Sequence, residues 1–394
     1  MANQWTTAAD LKAQLLRYWD RGEILRSRLL DEPLFPLKLR LRRPTSRELT
    51  ANFDEVRLWI TQISKLQNYD IEWKEIRHHI HGRNRLPHAV NAPDESTALK
   101  LIGKGKQAAI FQGLSNTTLQ RFPELKPWLI KRPAKMLQQA GGWRQILQVL
   151  SYFQQHPRSG LYLRQLDITG VDTKFIERHR GLLSELLDLV LPEEVVNSDA
   201  TGIKAFNRRY GLKDEPALIR FRLLDPQQHL QGLSDLTVPA DQFAGLNLPA
   251  STVFITENKI NGLAFPQMPD ALVIFGLGYG LEVLKECDWL GNKKIVYWGD
   301  IDTHGFRILN QLRKEFPRAS SLLMDKLTLM HYRPLWVKEK PGQRSMIELT
   351  RLTLEEQQLY DDLRYDRIDE AIRLEQERIP FGWVSKLLNG YFGV

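Results

Sequence analysis

Leu11, Leu15, Leu16 and Trp19 recur at the three- and four-residue spacing that lines one face of a helix, and the pattern runs on to Leu30, where Pro33 and Pro36 stop it. Over 36–43 the period falls to two. Leu37, Leu39 and Leu41 alternate with Lys38, Arg40 and Arg42, which predicts a half-buried strand with a cationic face. Thr45 followed by Glu48 has the spacing of a capping box, so a helix is expected from there to about Ile63. Ile71, Trp73 and Ile76 predict a second strand, leading past His78, His79 and His81 to a turn at Gly82. Further on, a helix over 143–154, a short strand over 161–163 and a longer helix over 173–191 are expected. Residues 193–250 are polar and proline-interrupted, and read as a linker with an antiparallel piece over 218–224. After Leu248 apolar strands alternate with helices, the signature of an α/β domain with a mainly parallel sheet.

With 394 residues and 42% hydrophobic content, the chain can bury several cores. The expected division is a basic α/β arm region over 1–135, a middle DNA-binding domain and linker over 136–245, and a catalytic domain over 246–394. The longest apolar stretch, 271–277, falls far short of the roughly 20 residues a membrane span needs, and the N-terminus lacks the basic-then-apolar pattern of a signal peptide. A cytoplasmic protein without membrane contact is therefore expected. A single cysteine, Cys287, excludes an intramolecular disulfide and a multi-thiolate zinc site, and reads as a small core residue.

Charge changes this picture. Residues 1–150 hold 25 Lys+Arg against 14 Asp+Glu, a surplus of 11 positive charges, whereas 151–394 hold 30 against 33. Positive charge concentrated at one end suits a polyanion, because every phosphate neutralised releases condensed counterions; an ordinary solvated basic surface is the alternative. Candidate DNA contacts are Lys38, Arg40 and Arg42 on the alternating strand. Lys174, Arg178 and Arg180, with His179, lie near the start of the 173–191 helix, where a winged-helix module would meet DNA. The three close histidines lack a carboxylate or thiolate at ligand spacing, and read as surface or strand residues.

The C-terminal third carries the chemistry. A strand over 252–256 ends in Glu257, and a strand over 271–275 runs into Gly276, Gly278 and Gly280, a tight strand-to-helix turn. A strand over 294–298 precedes Asp300, Asp302 and His304 and a helix over 306–316, and a strand over 321–324 ends in Asp325. Open α/β sheets place ligands at the carboxyl ends of their strands. Asp-x-Asp leaving a strand sets two carboxylates on one side, and together with Glu257 they form a cradle of hard oxygens for Mg²⁺ or Mn²⁺, suited to phosphodiester chemistry. Asp302 as a helix cap and Glu257 as an exposed strand end are the plainer alternatives.

The order strand-Glu, glycine-rich turn, strand-Asp-x-Asp, strand-Asp resembles the Toprim fold of topoisomerases, primases and some nucleases. The segments TENKINGL (256–263), YWGDIDTHGFRIL (297–309), LLMDKLTL (322–329) and RLEQERI (373–379), with GVDTKFIERHRGLL (170–183), resemble the JetD family, nucleases of Wadjet plasmid-defence systems. The resemblance implies a homodimer related to the topoisomerase VI A subunit, with arm, winged-helix (CAP-like) and Toprim parts. It also implies cleavage of circular plasmid DNA alongside the SMC-type motor complex JetABC. Glu257, Asp300 and Asp302 take the places of the metal-binding and catalytic carboxylates. His304, Asp325, Glu375 and Glu377 fall in matching segments as supporting residues, the last two either assisting metal binding or sitting on a polar helix face. No convincing equivalent of the topoisomerase tyrosine motif is present: Tyr152 fits an apolar helix face and Tyr162 a short strand. Hydrolysis by water is expected, with a tyrosine transesterase or a non-catalytic DNA-binding regulator as the competing readings.

Overall fold

The computed structural model describes residues 5–30, 32–78, 82–276, 278–340 and 342–392, and divides into two compact units, 1–214 and 215–394. The architecture is mixed α and β. Among the described residues no helix is long and apolar enough to cross a membrane.

In the first unit, the helix Ala8–Asp20 buries Leu11, Leu15 and Trp19 as their spacing predicts, and Gly22 ends the run in a left-handed conformation (φ 73°). A three-stranded antiparallel sheet follows, with β1 (Leu37–Leu39), β2 (Asp70–His78) and β3 (Gly82–Ala92) in the order β1-β3-β2. β1 is shorter than the alternation suggested. Beyond Leu39 the backbone turns to other partners: Arg40 N–H donates to Gln14 Oε1 (2.7 Å) and Arg42 N–H to Thr6 Oγ1 (2.7 Å). The capping box forms, with Glu48 accepting from Thr45 N–H at 2.7 Å, but the helix breaks at Asn52 into Ser46–Ala51 and Phe53–Ser64. His79 and His81 lie outside the described residues.

The helices Trp143–Gln155 and Thr173–Val190 appear where their periodicity places them, the second capped by Asp172. Residues 161–163 do not form a strand. Tyr162 makes a single bridge to Lys213, and a 3-10 turn, Leu163–Gln165, follows. Leu11, Leu99, Phe111, Trp143, Leu183 and Phe206 share one continuous core, so this unit has no break near residue 135.

The second unit is organised by a six-stranded sheet, β4 (Leu218–Leu223), β5 (Asp235–Pro239), β6 (Thr252–Thr256), β7 (Ala271–Phe275), β8 (Lys294–Trp298) and β9 (Ser320–Ser321), in the order β5-β4-β7-β6-β8-β9. β6, β7, β8 and β9 run parallel, while β4 is antiparallel to both β5 and β7. The antiparallel piece read as part of a linker is thus hydrogen-bonded into the sheet, and this unit starts near Glu215 rather than at 246. All five residues of β6 and of β7 are buried, as expected for strands covered on both faces. Cys287 is a buried core residue.

Three local expectations fail for identifiable reasons. The glycine-rich turn opens on Gly276 (φ 78°) but leads into a 3-10 helix, Gly278–Glu286, rather than an α-helix. The helix after Asp-x-Asp begins earlier, at Thr303, because Asp302 itself caps it. The strand expected over 321–324 stops at Ser321, since Leu323 takes a left-handed conformation (φ 58°). Two short strands, β10 (Val337–Lys338) and β11 (Ile372–Arg373), pair with each other.

Candidate functional site

The register of the parallel strands sets the site. Thr256 on β6 stands level with Phe275 on β7 and Trp298 on β8, so Glu257, Gly276 and the Gly299-Asp300 turn leave the same edge of the sheet. Two glycines permit the close packing there. A Cβ on Gly299 would sit 2.5 Å from Tyr297 Oη, and one on Gly305 would run into the carbonyl oxygen of Asp300.

Each carboxylate is held by the chain. The buried Tyr297 hydroxyl donates to Glu257 Oε1. Burial raises the pKa of Glu257, and the charge of Asp300 adds to this, against the Tyr297 hydrogen bond and Arg373. Asp302 is 4% exposed and accepts from Gly305 N–H at 2.7 Å, capping the helix Thr303–Glu315. Burial, with Asp300 and Glu339 nearby, pushes its pKa up to about 7. Asp302 is therefore both a cap and a member of the acidic cluster. Asp300 accepts from Gln376 N–H at 2.8 Å.

A second segment closes over these residues. Ile301 bridges Leu374, and Arg373 reaches back so that Nη2 lies 2.6 Å from Asp300 Oδ2 and 3.4 Å from Glu375 Oε1, with Nε 3.2 Å from Asp302 Oδ2. Gln376, 2% exposed, donates to Trp298 O, and its amide oxygen lies 3.4 Å from both Thr256 Oγ1 and Asn261 Nδ2, tying the ends of β6 and β8 together.

Glu375 thus joins the cluster through Arg373, and also pairs with Arg378 at 2.8 Å. Glu377 accepts from Asn258 Nδ2 at 3.2 Å at the rim. His304 is half-buried, and its pKa is lowered by burial and then by Arg307. Asp325 is placed differently. Its carboxylate accepts from Thr328 N–H (2.7 Å) and Oγ1 (3.1 Å), capping the helix Lys326–His331. Of the basic candidates in the first unit, Lys38, Arg40, Arg42, Lys174 and Arg178 are exposed. Arg180 is half-buried beside Glu177 (4.0 Å), which takes it off the exposed face.

Sequence reasoning passed over Tyr297, Glu339, Arg373 and Gln376. Tyr297, Arg373 and Gln376 lie inside segments already singled out, but attention to carboxylates hid them. Glu339, 3% exposed and bonded to Thr303 Oγ1 at 2.7 Å, sits in a stretch with no pattern to mark it.

Hard oxygen donors in which the charge of Asp300 raises the pKa of Glu257 and Asp302 are suited to a divalent cation. Among the described residues no three His, Cys, Asp or Glu side chains stand together at ion-binding spacing. The cation that the cluster faces is the Arg373 guanidinium. The oxygen donors are of the type that Mg²⁺ or Mn²⁺ takes, but as placed Asp300 and Asp302 are engaged by Arg373 and the donors do not stand at ion-binding spacing.

Residues 211–388 match the family described as Wadjet protein JetD, C-terminal, and residues 8–188 match the family described as Uncharacterized protein conserved in bacteria N-term (DUF3322). No curated protein matches the chain.

Proposed function

Because the chain belongs to the JetD family of Wadjet proteins, it is part of a defence system and associates with other Wadjet components; we propose that within that system it is the metal-dependent endonuclease. The reading rests above all on the shared carboxyl ends of β6 and β8, which deliver Glu257, Asp300 and Asp302 to one edge of the sheet as a partly buried acidic cluster in which the charge of Asp300 raises the pKa of the other two. In this reading 246–394 supplies a Toprim-type centre, and the helix pair Trp143–Gln155 and Thr173–Val190 serves as a winged-helix-like DNA contact. The substrate is circular plasmid DNA presented by the JetABC motor.

Glu257, Asp300 and Asp302 would hold Mg²⁺ or Mn²⁺, which when bound offsets charge building up on the phosphodiester oxygens. The chain's own groups prepare the site. Tyr297 fixes Glu257, Gly305 N–H fixes Asp302, and Gln376 N–H fixes one oxygen of Asp300. Arg373 pairs with Asp300 and Asp302 and balances their charge, a role that a bound cation would supply in its place. Water is the nucleophile, and two copies acting on antiparallel strands would produce a double-strand break.

Incubating the purified protein with circular DNA and Mn²⁺ or Mg²⁺ tests this. Wild type cuts and leaves protein-free ends, as do Tyr152→Phe and Tyr162→Phe. Glu257→Ala, Asp300→Ala and Asp302→Ala bind DNA without cutting. Undiminished cutting by Asp300→Ala would overturn the metal reading, and protein-linked ends would transfer the chemistry to a tyrosine.

A further inference from the structure

The strand pair β2–β3 does more than complete a sheet. Its register runs without interruption from Trp73 opposite Pro87 to His78 opposite Gly82, so side chains on this stretch alternate between two faces. One face carries Ile76, packed on the small core of Trp5, Leu49, Val56, Trp59 and Ile63, and the buried Leu86. The other carries the exposed Glu75, Arg77, Arg83 and Arg85, with the half-buried Trp73 and the buried Pro87 at its far end from the turn.

On that outer face Glu75 stands opposite Arg85, a balanced rung. The next rung toward the turn sets Arg77 directly opposite Arg83. Like charges facing each other across a strand pair weaken it. Both arginines are exposed, and among the described residues neither has an ion-pair partner. Arg85 lies over the Trp73 ring at 5.9 Å, on the same side. Three guanidinium groups therefore line one outward face against a single carboxylate, on a two-stranded ribbon of the width that B-DNA's major groove admits.

We infer that the Arg77–Arg83 rung, with Arg85, is a DNA-backbone contact of the first unit, additional to Lys38, Arg40, Arg42 and the Thr173–Val190 helix. A phosphate laid across the rung would answer the repulsion that the fold leaves in place, which an ordinary solvated surface gives no reason to retain. An acidic protein surface is the rival occupant. The inference rests on the reading of the chain as a DNA-acting enzyme.

The test measures affinity of the full-length protein for a duplex at several salt concentrations, for wild type, Arg77→Gln/Arg83→Gln and Arg77→Lys/Arg83→Lys, with melting temperature followed in parallel. Losing two phosphate contacts should flatten the slope of log affinity against log salt by about 1.8, since each contact contributes about 0.9. The Gln pair should melt no lower than wild type, because the rung is repulsive, and the Lys pair should keep the wild-type slope. An unchanged slope in the folded Gln pair overturns the inference, also if that variant loses affinity for another Wadjet protein instead. Should the Gln pair fail to fold, a Lys pair that binds with a flattened slope overturns it as well. A wild type that binds no duplex at all overturns the nuclease reading together with it.

Discussion

Asp302 carries two duties whose demands differ. As a cap it needs only an oxygen for Gly305 N–H, which an asparagine also supplies; as part of an acidic cluster it must bear charge while 4% exposed. Its folded pKa of about 7 lies above the unfolded value of 3.8, so the folded state holds the proton more tightly. The stability this contributes is fully present below about pH 4 and is lost as pH rises through about 7. Glu257 and Glu339, also raised by burial, act in the same direction. The metal-free protein should therefore melt at a lower temperature at pH 8 than at pH 5, and Asp302→Asn should flatten that dependence. An identical pH slope in the Asn variant would place the destabilising charge elsewhere. Cation affinity should show the opposite trend, strengthening through pH 7 as the carboxylate ionises.

The strand ends and the β11 segment show what was legible in the sequence and what was not. The positions of Glu257 and the Asp-x-Asp pair at strand ends were legible because a parallel strand buried on both faces reads as an apolar run, and its last apolar residue marks where the chain emerges. β9 was not, because the left-handed turn at Leu323 depends on tertiary packing that no local pattern records. The shortening of β1 has the same origin: Gln14 and Thr6 outbid the ladder for the backbone of Arg40 and Arg42. The meeting of 373–376 with Asp300 joins residues more than seventy positions apart, and only the fold reveals that Arg373 and Gln376 belong beside the carboxylates. Gly305 is the element-scale test. A methyl there runs into the Asp300 carbonyl and must shift the Asp-x-Asp turn. Gly305→Ala should therefore slow cleavage on the order of 100-fold, as expected for a misplacement of about 1 Å, while circular dichroism shows the fold retained. Near-wild-type cleavage by that variant would mean that the turn tolerates displacement and is not the reacting centre.

At the scale of the whole chain, the named charged groups are divided between the two units. The exposed basic side chains named for DNA lie in 1–214, and the partly buried acidic cluster lies in 215–394. Under the proposed nuclease reading, the acidic centre would repel the phosphates that a basic unit attracts unless a cation screens it, so cation binding is the claim on which the account turns. Arg373 now supplies that positive charge internally, 2.6 Å from Asp300 and 3.2 Å from Asp302. Removing it should leave the carboxylates unsatisfied, lowering metal-free stability on the order of 2 kcal/mol and improving cation affinity. The direct measurement is a Mn²⁺ titration of the purified protein at pH 8, followed by electron paramagnetic resonance, for wild type, Arg373→Ala and Asp300→Ala. The account predicts saturable Mn²⁺ binding by wild type, tighter binding by Arg373→Ala, and at least about tenfold weaker binding by Asp300→Ala, a loss of about 1.4 kcal/mol. Equal Mn²⁺ affinity in wild type and Asp300→Ala would contradict it.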